Sequence, residues 1–106
     1  MTTITVTDVT RNEVLAQGEL GEEVVLLEGC YYFEPDRVVL DNLVTTERTY
    51  TCPYKGKCHW IDLEGPTGTY RDVAWVYSDP RPDYEYIRYR IGFAYGIRPG
   101  VMVEKS

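Results

Sequence analysis

The sequence predicts an all-β fold: one compact domain of coiled antiparallel sheets, roll or barrel-like, with one or two short helical turns. Three observations predict it. Apolar and polar residues alternate in short runs, most clearly at Ile87, Tyr89, Ile91, Phe93 and Tyr95, the spacing that puts alternate side chains on one face of a strand. No 3.6-residue periodicity persists over three turns. Turn-forming residues separate the runs, as they do in rolls and barrels.

The elements follow in order. Thr3 to Thr7 reads Thr-Ile-Thr-Val-Thr, a half-buried strand. Arg11-Asn12 turns the chain, and Glu13 to Gln17 returns as the second arm of a hairpin. Gly18 and Gly21 break the next region. Val24 to Leu27 and Cys30 to Phe33 are short strands around Gly29. Glu34-Pro35-Asp36 starts a single helical turn, with proline at a tolerated first-turn position. Val38 to Val44 fits no single pattern. Arg48 to Thr51 runs into a loop, and His59 to Leu63 leaves it as a strand. Gly65-Pro66-Thr67-Gly68 is a strong turn signal, and Thr69 to Tyr77 returns with Val73, Trp75 and Tyr77 on one face. Asp79-Pro80-Arg81-Pro82 is a rigid loop, because each proline fixes its own φ and restricts the residue before it. Ile87 to Tyr95 is the best strand. Arg98-Pro99-Gly100 turns into a closing strand through Val101 and Val103.

The chain of 106 residues has the length of one domain, spanning 1–106. Its net charge of −6 lacks the basic footprint that general nucleic-acid binding needs. No apolar run approaches the roughly 20 residues of a membrane-spanning helix. Met1-Thr2-Thr3-Ile4 has no secretory signal pattern. Three cysteines argue against a disulfide framework and predict reduced thiols in the cytoplasm. Ten tyrosines suit half-buried strands; they also suit a wet cavity wall.

Chemistry concentrates in Thr51-Cys52-Pro53-Tyr54-Lys55-Gly56, with His59-Trp60 close behind. The stretch holds the only histidine and two of the three lysines. Cys52 reads either as a small buried hydrophobe or as a thiol whose pKa a nearby cation depresses. One histidine leaves no evident Cys-His-acid array. Lys55 and Gly56 can together present an amine and backbone N–H groups to an anion, without the multiple glycines of a P-loop. Cys52 and Cys58 are too widely spaced for the paired ligands of a structural zinc site, so no metal and no cofactor are expected.

Four segments, in order, resemble the domain-of-unknown-function-427 family of small bacterial proteins. They are Tyr31-Tyr32-Phe33-Glu34-Pro35, the stretch Arg48 to Gly56 with its Thr-x-Cys-Pro-Tyr-Lys-Gly pattern, His59-Trp60, and Ala74-Trp75-Val76-Tyr77-Ser78-Asp79-Pro80. The resemblance implies coiled β-sheets, related in shape to small zinc-binding exchange-factor-like proteins. It implies a site but no reaction. The family is sometimes labelled nucleotidyltransferase-like. This chain lacks the Gly-Ser and paired aspartates of those metal-dependent enzymes.

The leading expectation is a small-molecule-binding domain. Its pocket would be formed by Cys52, Tyr54, Lys55 and Gly56 on the loop and by Trp75, Tyr77 and Asp79 on the strand. The ligand would be modest in size, partly aromatic or apolar, and anionic at one end. The alternatives are an enzyme using Cys52 or Lys55 as nucleophile and a protein-interaction module. The chain would be a monomer, or a homodimer through an exposed edge strand.

Overall fold

A computed structural model describes residues 1–106. Ten strands run in chain order: β1 Thr3–Asp8, β2 Glu13–Glu19, β3 Val24–Leu27, β4 Cys30–Phe33, β5 Leu43–Cys52, β6 Gly56–Glu64, β7 Thr69–Pro80, β8 Ile91–Ala94, β9 Gly96–Arg98 and β10 Val101–Lys105. Two short 3-10 helices, Pro35–Arg37 and Pro82–Ile87, interrupt them. The strands form a four-stranded sheet, β2-β1-β10-β9, and a six-stranded sheet, β3-β4-β8-β7-β6-β5, all paired antiparallel. The fold is therefore all-β with coiled sheets, and neither sheet closes into a barrel. No helix is long and apolar enough to cross a membrane.

The main core lies between the sheets. Ile4, Val6, Val101 and Val103 face Phe33, Ile61, Leu63, Ala74, Ile91 and Phe93. Alternation then sends the intervening residues of the six-stranded sheet to its other face. There Tyr32, Cys58 and Tyr77 pack with Ile87, flanked by Val25, Leu27, Cys30, Trp75 and Tyr84. This sheet is apolar on both faces, and the second face carries the candidate site. Val73 does not share that face: it joins the main core beside Ala74. The pairing of β6 with β7 slips between Ile61 and Leu63, so the parity that groups Trp75 with Tyr77 does not extend back to Val73.

The irregularities have a purpose in the geometry. The β5–β6 ladder slips between Thr45 and Thr49, and the β6–β7 ladder slips twice. Bulges of this kind raise local twist and bend the strand. Buried charge holds them in place. Asp62 accepts a hydrogen bond from Arg48 and another from the Asp72 backbone N–H at 3.0 Å. Asp72 itself has φ +58° and binds Arg48 at 2.8 Å. His59 contributes at the same place: its Nδ1–H donates to the Thr46 carbonyl at 3.0 Å.

The hairpins at 3–19 and 24–33, the helical turn after Glu34, the turn at 65–68 and the closing strand match their sequence patterns. Gly18 does not break β2 but lies inside it, where a side chain would strike Val24. The largest difference concerns Ile87 to Tyr95. Only Ile91 to Ala94 is strand; Pro82 to Ile87 is 3-10 helix. Pro82 pre-sets the first turn, and Tyr89 reverses the chain at φ +62° with its N–H on the Tyr77 carbonyl, 2.9 Å away. Arg90 then braces the junction, donating to the backbone carbonyls of Glu22 at 2.9 Å and Tyr86 at 3.0 Å. Alternation in the sequence could not register the two tertiary ties among these, Tyr89 to Tyr77 and Arg90 to Glu22.

Candidate functional site

The second face of the six-stranded sheet encloses an open cavity of about 180 Å³. Tyr32 of β4, Tyr50 of β5, Trp60 of β6 and Trp75 and Tyr77 of β7 form its walls, with Leu27, Cys30 and Cys58 between them. The rings support one another edge to face. Trp60 and Trp75 lie 5.8 Å apart at 76°, and Trp75 and Tyr32 lie 6.2 Å apart at 79°, an arrangement that suits the ring quadrupoles. Trp75 Nε1–H also donates to the Tyr32 hydroxyl at 3.0 Å. Burial pushes the Tyr32 phenol up to about 12 and raises that of Tyr77 as well, so both stay neutral.

Gly92 makes this wall possible. It pairs with Trp75 across β7 and β8. A Cβ there would lie 2.6 Å from Trp75 Nε1 and 2.8 Å from a Tyr32 ring carbon. The missing side chain lets the indole lie across the strand.

Two charged residues line the cavity, Lys55 and Glu28. They form an ion pair. Lys55 belongs to the three-residue loop between the paired residues Cys52 and Gly56. Glu28 belongs to the tight turn between the paired residues Leu27 and Cys30. Their strands pair at opposite sides of the sheet, four strand spacings apart, or ~19 Å were the sheet flat. The register also places the two turns at opposite ends of the strands. Their meeting measures how strongly the sheet coils. Twist lifts diagonal corners of a sheet toward one face, and the bulges add to it.

The pair is unevenly buried: the Lys55 side chain is 11% exposed and that of Glu28 55%. Burial disfavours the ammonium, but Glu28 and Cys52 more than offset this and hold the Lys55 pKa above its ordinary value. Lys55 is therefore a fixed cation. Cys52 is buried beside it. Burial by itself would push the Cys52 thiol up; the backbone N–H groups of Lys55 and Tyr54 and the Lys55 ammonium outweigh it and bring the thiol down. Cys30 and Cys58 lack such donors in sufficient strength, and burial leaves both raised. No three His, Cys, Asp or Glu side chains converge as metal ligands.

The residues expected from sequence divide clearly. Lys55, Trp75 and Tyr77 line the cavity. Cys52 is buried beside Lys55 without lining it. Gly56 supplies φ +109° and closes the loop against the backbone of Asp79 and Arg81. Tyr54 points to solvent, 69% exposed at the loop tip. Asp79 also points away, 91% exposed in its side chain and 3.5 Å from Arg88. The cause is the bulge between Lys57 and His59 in the β6–β7 register. One extra residue in β7 flips the parity after Tyr77, so Asp79 sits opposite solvent-facing Lys57 rather than over the cavity.

Sequence reasoning did not single out Glu28, Tyr32, Tyr50 or Trp60 for the site. Glu28 had one available signal. A glutamate directly before Gly29 occupies a two-residue hairpin turn where asparagine, aspartate or glycine is usual. Tyr32 had another: it sits between two core aromatics on a strand and so must face the other way.

No curated protein matches the chain at a meaningful level of similarity. The four segments that carry the loop, the Tyr32 strand and the Trp75 strand fall within a single family pattern. That pattern, described as a domain of unknown function (DUF427), matches residues 3–104, and the chain belongs to this family.

Proposed function

We propose that the protein binds a small organic molecule, apolar or aromatic in body and anionic at one end, in the cavity beside Lys55. One observation carries the reading. A lysine ammonium, paired with the half-exposed Glu28, is enclosed in a concavity whose other lining residues are aromatic or apolar. Binding sites of this kind combine apolar walls with a few placed polar groups. The volume of about 180 Å³ is below the usual range of drug-sized sites, roughly 300–1,000 Å³, and suits a small ligand. Trp60 and Trp75 supply flat faces, and Lys55 supplies a charge-assisted hydrogen bond.

Both tryptophans of the chain line the cavity, so tryptophan fluorescence reports directly on occupancy. Titration of a panel of small aryl and alkyl acids should change that fluorescence saturably in wild type. Lys55→Met should abolish the response to the acids and retain that to their neutral amides. Equal binding of acids and amides by wild type would remove the anionic end from the reading. No saturable response from any member would remove the reading altogether.

A second reading, an enzyme with Cys52 as nucleophile, is favoured by the lowered thiol pKa. Lys55 is a poor amine nucleophile because it stays protonated. Access opposes Cys52 as well, since it is buried and does not line the cavity. The pH dependence of alkylation tests it: Cys52 should react below the ordinary thiol range of about 8.5. A profile centred on the ordinary value, or no reaction in the folded state, would end this reading.

A further inference from the structure

We propose that the Glu28 carboxylate occupies the ligand's place on Lys55, and that the site selects monocarboxylates, which displace it. The proposal rests on the binding reading above and names its ligand class and its competing residue. Uneven burial carries it. Displaced, Glu28 swings into water, because more than half of its side chain is already exposed. Lys55 has no such freedom; its side chain is 11% exposed in a cavity lined mostly by aromatic and apolar residues, where an unpaired ammonium is costly. The lysine therefore requires a carboxylate, while the glutamate does not require a cation.

The backbone points the same way. Glu28 has φ +53° and Gly29 φ +78° between the paired residues Leu27 and Cys30. This is a two-residue turn with both central residues left-handed, a position that favours asparagine, aspartate or glycine. Nothing local calls for glutamate. The distant lysine does, because a long carboxylate side chain at that corner reaches Lys55 across the coiled sheet.

Charge balance sets the specificity. Lys55 is the single cation among the cavity-lining residues, and Glu28 the single anion. A monocarboxylate replaces the Glu28 carboxylate charge for charge. A phosphate dianion would bring a second negative charge against aromatic walls with no cation to meet it. A zwitterion such as an amino acid would use both members of the pair, and so would lose affinity when Glu28 is removed.

The test titrates benzoate, phenyl phosphate and phenylalanine into the full chain, following tryptophan fluorescence. Wild type is compared with Glu28→Gln and with Glu28→Asn, the latter suited to the left-handed turn should the glutamine variant fold poorly. If Glu28 holds the site closed nine-tenths of the time, its removal raises apparent benzoate affinity about tenfold. Phenyl phosphate should bind more weakly than benzoate in every form. In wild type, saturating benzoate should also shift the Glu28 carboxyl carbon resonance to that of a solvated glutamate, a readout needing no variant. Benzoate binding that is unchanged or weakened in both variants overturns the stand-in role while leaving the binding reading intact. Phenylalanine binding best to wild type and losing affinity in the variants overturns it in favour of a zwitterion site. Absence of binding in all three forms overturns the proposal and the binding reading together.

Discussion

At the scale of single residues, the two halves of the Glu28–Lys55 pair should not cost the same to remove. Glu28→Ala leaves an enclosed ammonium without its partner. Lys55→Met leaves a carboxylate that water can already reach, and fills the same space with an apolar chain. Exchanging a buried charge for a hydrophobe of similar shape is often neutral. Lys55→Met is therefore expected within about 1 kcal/mol of wild type, and Glu28→Ala to lose about 1–3 kcal/mol. Urea denaturation of both variants checks the order. A reversed order would mean that Lys55 anchors the fold through contacts other than Glu28. The Cys52 loop stands out at this scale by its residue types, a thiol, a phenol and an amine in four residues. Which of them face inward was not legible, because Lys55 and Tyr54 are neighbours that point to opposite environments.

Strand β8 is the element on which the cavity wall depends. It is four residues long, makes two register pairs with β7, and places Gly92 under the Trp75 indole. Gly92→Ala should force the indole off Tyr32, breaking their 3.0 Å hydrogen bond. Overpacking of this kind costs typically 1–3 kcal/mol. The variant is expected to unfold at lower urea concentration and to show altered tryptophan fluorescence while Lys55 and Glu28 remain in place. Unchanged fluorescence would mean that the wall accommodates a methyl group. The sequence marks β8 only as part of a longer alternating run. Of the alternating residues, Tyr89 and Tyr95 are exposed, whereas Ile87, Ile91 and Phe93 are buried. They are buried in different places: Ile87 reaches the second face from a 3-10 helix, and the other two face the main core. Alternation here overcounts the buried residues and is silent on which core receives the ones that are buried.

Across the whole molecule, alkaline pH should weaken the fold. Burial raises Tyr32 to about 12 and also raises Tyr77, Cys30 and Cys58, while Glu28 and Cys52 raise Lys55. Each of these groups prefers its protonated form in the folded state. Each contribution is complete below the unfolded value, 9.0 for cysteine, 10.0 for tyrosine and 10.5 for lysine, and is lost as pH rises through the folded one. Tyr32 by itself accounts for roughly 2–3 kcal/mol over that window, at 1.36 kcal/mol per pKa unit. Cys52 has the opposite sign: its contribution is present above pH 9 and lost as pH falls through its lowered value. Urea midpoints should hold steady near neutrality and fall from about pH 9 upward, with tyrosinate absorbance rising in step with unfolding. A midpoint independent of pH up to 11 would show that these groups are hydrated in solution.

The sequence by itself determined the class of fold, most strand positions, the turns and the family, because these depend on short-range patterns: period-two alternation, proline and glycine placement, and contiguous motifs. It also named three of the residues that line the cavity, Lys55, Trp75 and Tyr77. Tertiary structure decided the rest. Two turns far apart in the chain meet only because a six-stranded sheet coils enough to bring its diagonal corners together. One bulge removes Asp79 from the cavity, and one absent side chain at Gly92 opens room for its wall. Twist accumulates over many residue pairs and a bulge reverses parity at a single point, so neither can be read from the pattern of any one strand.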